Sequence, residues 1–188
     1  MGTRDSREFK LHSEDQLMYF YIEVAHTQHR YLSSRDKENV IIHRIESGLL
    51  QQWELVDSGD DDFKYITPVE NEQLVVVSPI NCDTPTTLAL LDGLANQDLA
   101  KWKLVPVDQE YGNGYPGANE HQGCRFIKAK LNPRCRGHRP RSNCHELAAY
   151  QEGIHNNTDV VVFGHKGVGA NVAEPRNHMW ILRKEPRV

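Results

Sequence analysis

A chain of 188 residues suits one domain, or one domain with a tail. Its formal net charge of −4 excludes a global positive field that would draw nucleic acid or an anionic membrane. No stretch approaches the roughly 18 consecutive apolar residues of a membrane span, so no membrane insertion is expected.

Residues 1–17 are polar and charged, lack the apolar centre of a secretory signal, and read as a loose arm. The expected compartment is therefore the cytoplasm, or the exterior by a non-classical route. The domain then runs over 18–188 as three similar units. The first, about 19–60, opens at Tyr21 with YIEV, passes through RYLSS around Leu32 and NVIIHRI from Val40, and closes at Trp53 with WELV. The second, about 61–108, has YITPV from Tyr65, QLVVV around Leu74, TLALL around Leu88, and WKLV from Trp102. The third, about 122–185, has FIKA from Phe126, HELAAY around Leu147, DVVVF from Asp159 to Phe163, and WILR from Trp180. Leu32, Leu74 and Leu147 stand at matching places, as do Ile42, Leu90 and Val162.

Each segment is short, rich in β-branched and aromatic residues, and bounded by Gly, Asp, Asn, Ser or Pro, which predicts four strands per unit. All 3 tryptophans occupy the closing position, so three indoles are expected around one shared core. A closed barrel would also remove exposed sheet edges.

This pattern resembles the ricin-B-type β-trefoil family over about residues 19–184. That family repeats an opening aromatic strand, a leucine–aspartate strand, an apolar third strand and a closing Q-x-W. Gln51-Gln52-Trp53 carries the last token, while Ala100 and His178 hold the glutamine position in the other units. The resemblance implies an all-β β-trefoil, three four-stranded repeats around a pseudo-threefold axis.

The third unit holds long insertions. One precedes Phe126 and is rich in Gly, Asn and Pro around Tyr115 and Pro116; a second contains the basic run Arg134–Arg141. Such loops are commonly functional or disordered, and the basic run reads as a solvated loop rather than a nucleic-acid contact. His121, Cys124, Cys135 and His138 have x-x spacings suited to tetrahedral zinc. The histidine-first order and the 10 histidines favour free thiols in a reducing compartment, with one or two disulfides as the next reading. No paired carboxylates, phosphate loop or ordered triad can be placed, so neither an enzyme nor a cofactor is expected.

In sugar-binding members of the resembled family, each unit uses an aspartate after the second-strand leucine, an aromatic at the end of the third strand, and an asparagine just before Q-x-W. An acidic oxygen accepts from hydroxyls, a ring stacks on the sugar's C–H patch, and an amide completes the network. Carried across, the aspartate position reads Ser33, Val75 and Ala148, the aromatic position His43, Leu91 and Phe163, and the asparagine position Leu50, Leu99 and Asn177. The resemblance therefore implies carbohydrate binding with the best site in the third unit. Phe163 and Asn177 would lead it, with Tyr150, Asn157, Asp159 and His165 nearby. His43 marks a partial first-unit site, beside Arg35, and the second unit reads as empty. Expected partners are glycans or glycoproteins, with self-association to raise weak single-site affinity. The alternative is a mycocypin-like protease inhibitor, with a protease as partner, acting through the loop around Tyr115.

Overall fold

The computed structural model describes residues 18–25, 27, 29–35, 38–46, 48–81, 84–107, 123–131, 146–150, 155–163 and 178–186. The N-terminal arm, the loop around Tyr115 and the run Arg134–Arg141 lie outside the described residues. Twelve strands follow in three groups of four. They are β1 (Met18–Val24), β2 (Arg30–Ser33), β3 (Ile41–Arg44) and β4 (Gln52–Asp57); β5 (Lys64–Pro68), β6 (Leu74–Val77), β7 (Thr87–Leu90) and β8 (Lys101–Pro106); and β9 (Cys124–Ala129), β10 (Glu146–Ala149), β11 (Thr158–Phe163) and β12 (Met179–Pro186). The valine runs of β6 and β11 are stiff at χ1 and suit a pleated, buried surface.

The first and last strands of the units close a six-membered antiparallel ring, β1–β12–β9–β8–β5–β4 and back to β1. The middle strands form three hairpins, β2–β3, β6–β7 and β10–β11. A closed barrel capped by three hairpins is the β-trefoil that the repeats predict.

One apolar core fills both layers. Ile22, Ile66 and Ile127 line it from the opening strands, and Trp53, Trp102 and Trp180 from the closing strands, all fully buried. Each indole Nε1 donates to a hairpin carbonyl: Trp53 to Leu32 at 3.0 Å, Trp102 to Val76 at 2.8 Å and Trp180 to Leu147 at 2.9 Å. These bonds correct the second unit by two residues. Val76, paired with Leu88, is the counterpart of Leu32 and Leu147, in place of Leu74 paired with Leu90. A shift of two keeps every side chain on its face, so alternation alone cannot detect it.

The same register appears at the pseudo-threefold axis. Val40 N donates to Thr86 O at 2.9 Å, Thr86 N to Val160 O at 2.6 Å, and Val160 N to Val40 O at 3.1 Å. Threonine thus stands where the other units have valine. Thr86 is fully buried, and its Oγ1 has no hydrogen-bond partner among the described residues.

A second tie runs around the barrel wall. Lys101 Nζ lies 2.8 Å from Asp60 and 3.0 Å from Asp98, and Lys130 Nζ lies 2.7 Å and 3.1 Å from the same carboxylates. The clasp joins the β4–β5 turn to the start of β8 and the end of β9. Hydrogen bonds from Lys101 and then Lys130 hold Asp60 down at about 2, and those from Asp60 and Asp98 push Lys101 up.

Two outcomes follow from this packing. Thr86→Val replaces an unpartnered buried hydroxyl with a methyl of similar size, and urea unfolding should show a gain of about 1 kcal/mol. A carboxyl held below its ordinary value supports the fold at neutral pH, and that support is lost as pH falls towards about 2. Asp60→Asn should therefore lower the urea midpoint at about pH 6, and the difference from wild type should vanish as pH approaches about 2.

Candidate functional site

The hairpin registers decide which side chains can share a site. His43 lies across from Tyr31, Ala89 from Val75, and Phe163 from Glu146. With the second unit re-registered, its aromatic position is Ala89 rather than Leu91, and its position after the β6 core residue is Val77 rather than Val75. Ser33, Val77 and Ala148 are all non-acidic. The third unit nevertheless carries a carboxylate directly opposite its aromatic position. Glu146 precedes Leu147, whereas the resembled family's acid follows the leucine; Glu146 and Ala148, two apart, share one face of the strand.

Glu146 is fully buried and held from two sides. Lys128 Nζ lies 3.4 Å from Oε1, and His178 Nδ1 lies 3.3 Å from Oε2. Lys128 faces Glu146 across the β9–β10 pairing, and its ammonium sits 5.8 Å above the Phe126 ring centroid. His178 occupies the glutamine position, two residues before Trp180. The cation, carboxylate and imidazole offset one another's burial, where a lone carboxylate would be expensive.

The other third-unit candidates divide. Phe163 ends β11 on the Glu146 register; its side chain, together with Asn177 and His165, lies outside the described residues. Tyr150, Asn157 and Asp159 belong to the far end of the hairpin, where Ala149 pairs with Val160 and Asp159 with Ile41 of the first unit. Asp159 is four residues from Phe163, ~13 Å along an extended strand. Asn157 has a left-handed φ of 61°, and its N–H donates to Ile42 O at 2.9 Å. Tyr150, Asn157 and Asp159 are exposed. Asn157 and Asp159 border β3 of the first unit, and all three lie at the other end of the hairpin from the Glu146–Phe163 pair.

In the first unit His43 is buried and bonded by its own chain. Its Nε2 lies 3.1 Å from Arg35 Nη1, and its Nδ1 lies 3.1 Å from Arg44 O. Arg35 also donates to Glu46 Oε1 at 2.8 Å, placing an ion pair beside the ring. Gln51 organises the bend into β4: Nε2 donates to His43 O and Arg44 O at 3.3 Å and 2.8 Å, while Oε1 accepts from Glu46 N at 2.9 Å. Both His43 ring nitrogens are thus engaged within the protein.

Among the described residues the second unit has no comparable polar set. Ala89, Leu91, Leu94 and Leu99 pack there against Tyr65, Val75, Val77 and Ala100. Ala100, at the glutamine position, has no side-chain polar atom. Of the four residues with zinc-like spacing, Cys124 is buried in an apolar cluster with Val105, Val107, Phe126 and Met179, and burial pushes its thiol up. His121, Cys135 and His138 lie outside the described residues. Among the described residues no group of three or more His, Cys, Asp or Glu side chains could hold a metal ion.

No family model and no curated protein sequence matches the chain. Solved structures do. The designed threefold-symmetric protein ThreeFoil matches with a TM-score of 0.59 at 16% identity, over 87% of this chain and 96% of that one. The Macrolepiota procera ricin B-like lectin, solved in complex with lactose, matches with a TM-score of 0.60 at 11% identity, over 90% and 97%. The Polyporus squamosus lectin, solved bound to Neu5Aca2-6Galb1-4GlcNAc, matches with a TM-score of 0.57 at 16% identity, over 92% of this chain and 50% of that one. At these identities the likeness is one of fold: the chain is a β-trefoil with ricin B-like lectins among its structural neighbours.

The two polar clusters should respond differently to truncation. Glu146→Ala leaves Lys128 without its buried counter-charge and should cost about 3 kcal/mol in urea unfolding. Arg35→Ala, which removes a half-exposed ion pair, should cost under about 1 kcal/mol.

Proposed function

We propose that the protein binds carbohydrate through its third unit. The observation that carries this reading is the carboxylate of Glu146 directly opposite Phe163, tied to His178 at the glutamine position. In this reading the Phe163 ring stacks on the C–H face of a pyranose and Asn177 supplies an amide to its hydroxyls. Glu146 is a positioning residue. Pinned by Lys128 and His178, it ties the β10 end of the hairpin to the start of β12. The two lectins among the structural neighbours described above were solved with saccharides bound, which supports a glycan as the ligand class.

The reading is one of binding, with Glu146 engaged by Lys128 and His178 beneath the surface. A single site of this kind binds weakly, so clustered glycans or self-association would supply the working affinity.

A glycan array on the full chain, followed by titration of the best ligand, tests the proposal. Phe163→Ala and Asn177→Ala should each weaken that binding by about tenfold or more, as loss of a stacking face or an amide bond implies. Binding unchanged in both variants would move the site elsewhere.

A further inference from the structure

The barrel is sealed at one end and open at the other. Its middle ring, Ile22, Trp53, Ile66, Trp102, Ile127 and Trp180, is fully buried. The hairpins follow the opening strands and precede the closing ones. Two residues before each isoleucine and two after each tryptophan therefore lead away from the hairpins on the same inward face. That step reaches Phe20, Lys64 and Arg125 on β1, β5 and β9, and Leu55, Leu104 and Leu182 on β4, β8 and β12. All six are partly exposed. One step towards the hairpins instead, Val24, Gln51, Pro68, Ala100, Ala129 and His178 are buried. Solvent therefore reaches inward-facing side chains at the end away from the hairpins.

Two of the six residues in this last ring are cations. Lys64 has a counter-charge, Asp57, directly opposite on β4 at 3.5 Å. Arg125 forms no ion pair among the described residues. Its Nη1 donates to Cys124 O at 3.0 Å, and the rest of its fork remains for another acceptor. A third cation stands at the rim, where Lys184 is opposite Phe20 and holds its ammonium 6.0 Å from the ring centroid. Asp60 and Asp62 of the adjoining β4–β5 turn are engaged elsewhere, by Lys101 and Lys130 and by Lys103. The last ring thus joins an apolar floor, Phe20 and the three leucines, to positive charge that the described residues leave partly uncompensated. A partly buried arginine without a counter-charge is costly, as is exposed leucine, and an anion carrying its own apolar group offsets both.

We propose that this open end of the barrel binds a short aliphatic carboxylate. The Arg125 fork takes the carboxylate oxygens, Lys184 adds charge from the rim, and Phe20 and the leucines cover the aliphatic part. Mouths of β-barrels are among the places where ligands commonly bind. The limit on length comes from the ring beneath, whose fully buried indoles and isoleucines leave no channel for a long acyl chain. The site stands at the opposite end of the barrel from the hairpin that carries Glu146 and Phe163, so its failure and that of the glycan reading are separable.

Hexanoate is the probe, added to full-length protein at constant ionic strength made up with chloride. The methyl resonances of Leu55, Leu104 and Leu182 should shift saturably in a carbon–proton correlation spectrum. Hexylammonium, of the same length and opposite charge, should bind at least about tenfold more weakly. Arg125→Gln should weaken hexanoate binding by about tenfold or more. Lys184→Gln, at an exposed position, should weaken it by about threefold. Arg44→Gln, which removes an exposed cation from the hairpin layer, should leave it unchanged. Shifts that stay linear to the highest concentration, equal binding of hexylammonium, or hexanoate binding unchanged in both Arg125→Gln and Lys184→Gln would overturn the site. Acetyl-leucine separates the two sources of such a group. Binding tighter than hexanoate assigns the site to a peptide C-terminus, and weaker binding assigns it to a free acid.

Discussion

Three buried indole N–H groups, each satisfied by one hairpin carbonyl, set the relation between the two layers of the molecule. A tryptophan in an apolar core must find an acceptor for its single donor, and here each finds it at the same place in its unit: Leu32, Val76 or Leu147. The barrel strand carrying the indole and the hairpin strand carrying the carbonyl are thereby fixed in both distance and register. The ring of backbone bonds among Val40, Thr86 and Val160 then closes the hairpins about the axis.

On that common frame the three units diverge in how they treat the space beside the indole. The first fills it with a polar lattice in which Gln51, His43, Arg35 and Glu46 satisfy one another. The second fills it with leucine and alanine. The third places a buried carboxylate between an ammonium and an imidazole. The glutamine position shows the divergence most clearly. Gln51 bonds backbone, Ala100 only packs, and His178 pairs with Glu146.

Much of the architecture could be read before any coordinates, because the aromatic openings at Tyr21, Tyr65 and Phe126 and the closing tryptophans mark strand positions that a hairpin cap cannot disguise. What could not be read were relations depending on pairing rather than spacing. The second-unit register stayed ambiguous because Leu74, Val75, Val76 and Val77 offer the same face at every second residue. The place of Glu146 comes from its pairing opposite Phe163, which no local pattern reveals. Asn157 and Asp159 are near Phe163 in the chain, yet the length of β11 carries them to β3 of the first unit.

The seam of the barrel is made by the first and last strands, paired from Met18 with Pro186 through to Val24 with Trp180. A ring closed in this way carries contacts of nearly maximal sequence separation, and such contacts are among the slowest for a chain to form. During synthesis the units can collapse locally as they emerge, but β1 must wait with one edge unmatched until β12 has left the ribosome. The interval before closure is when this protein most needs protection from edge-to-edge association.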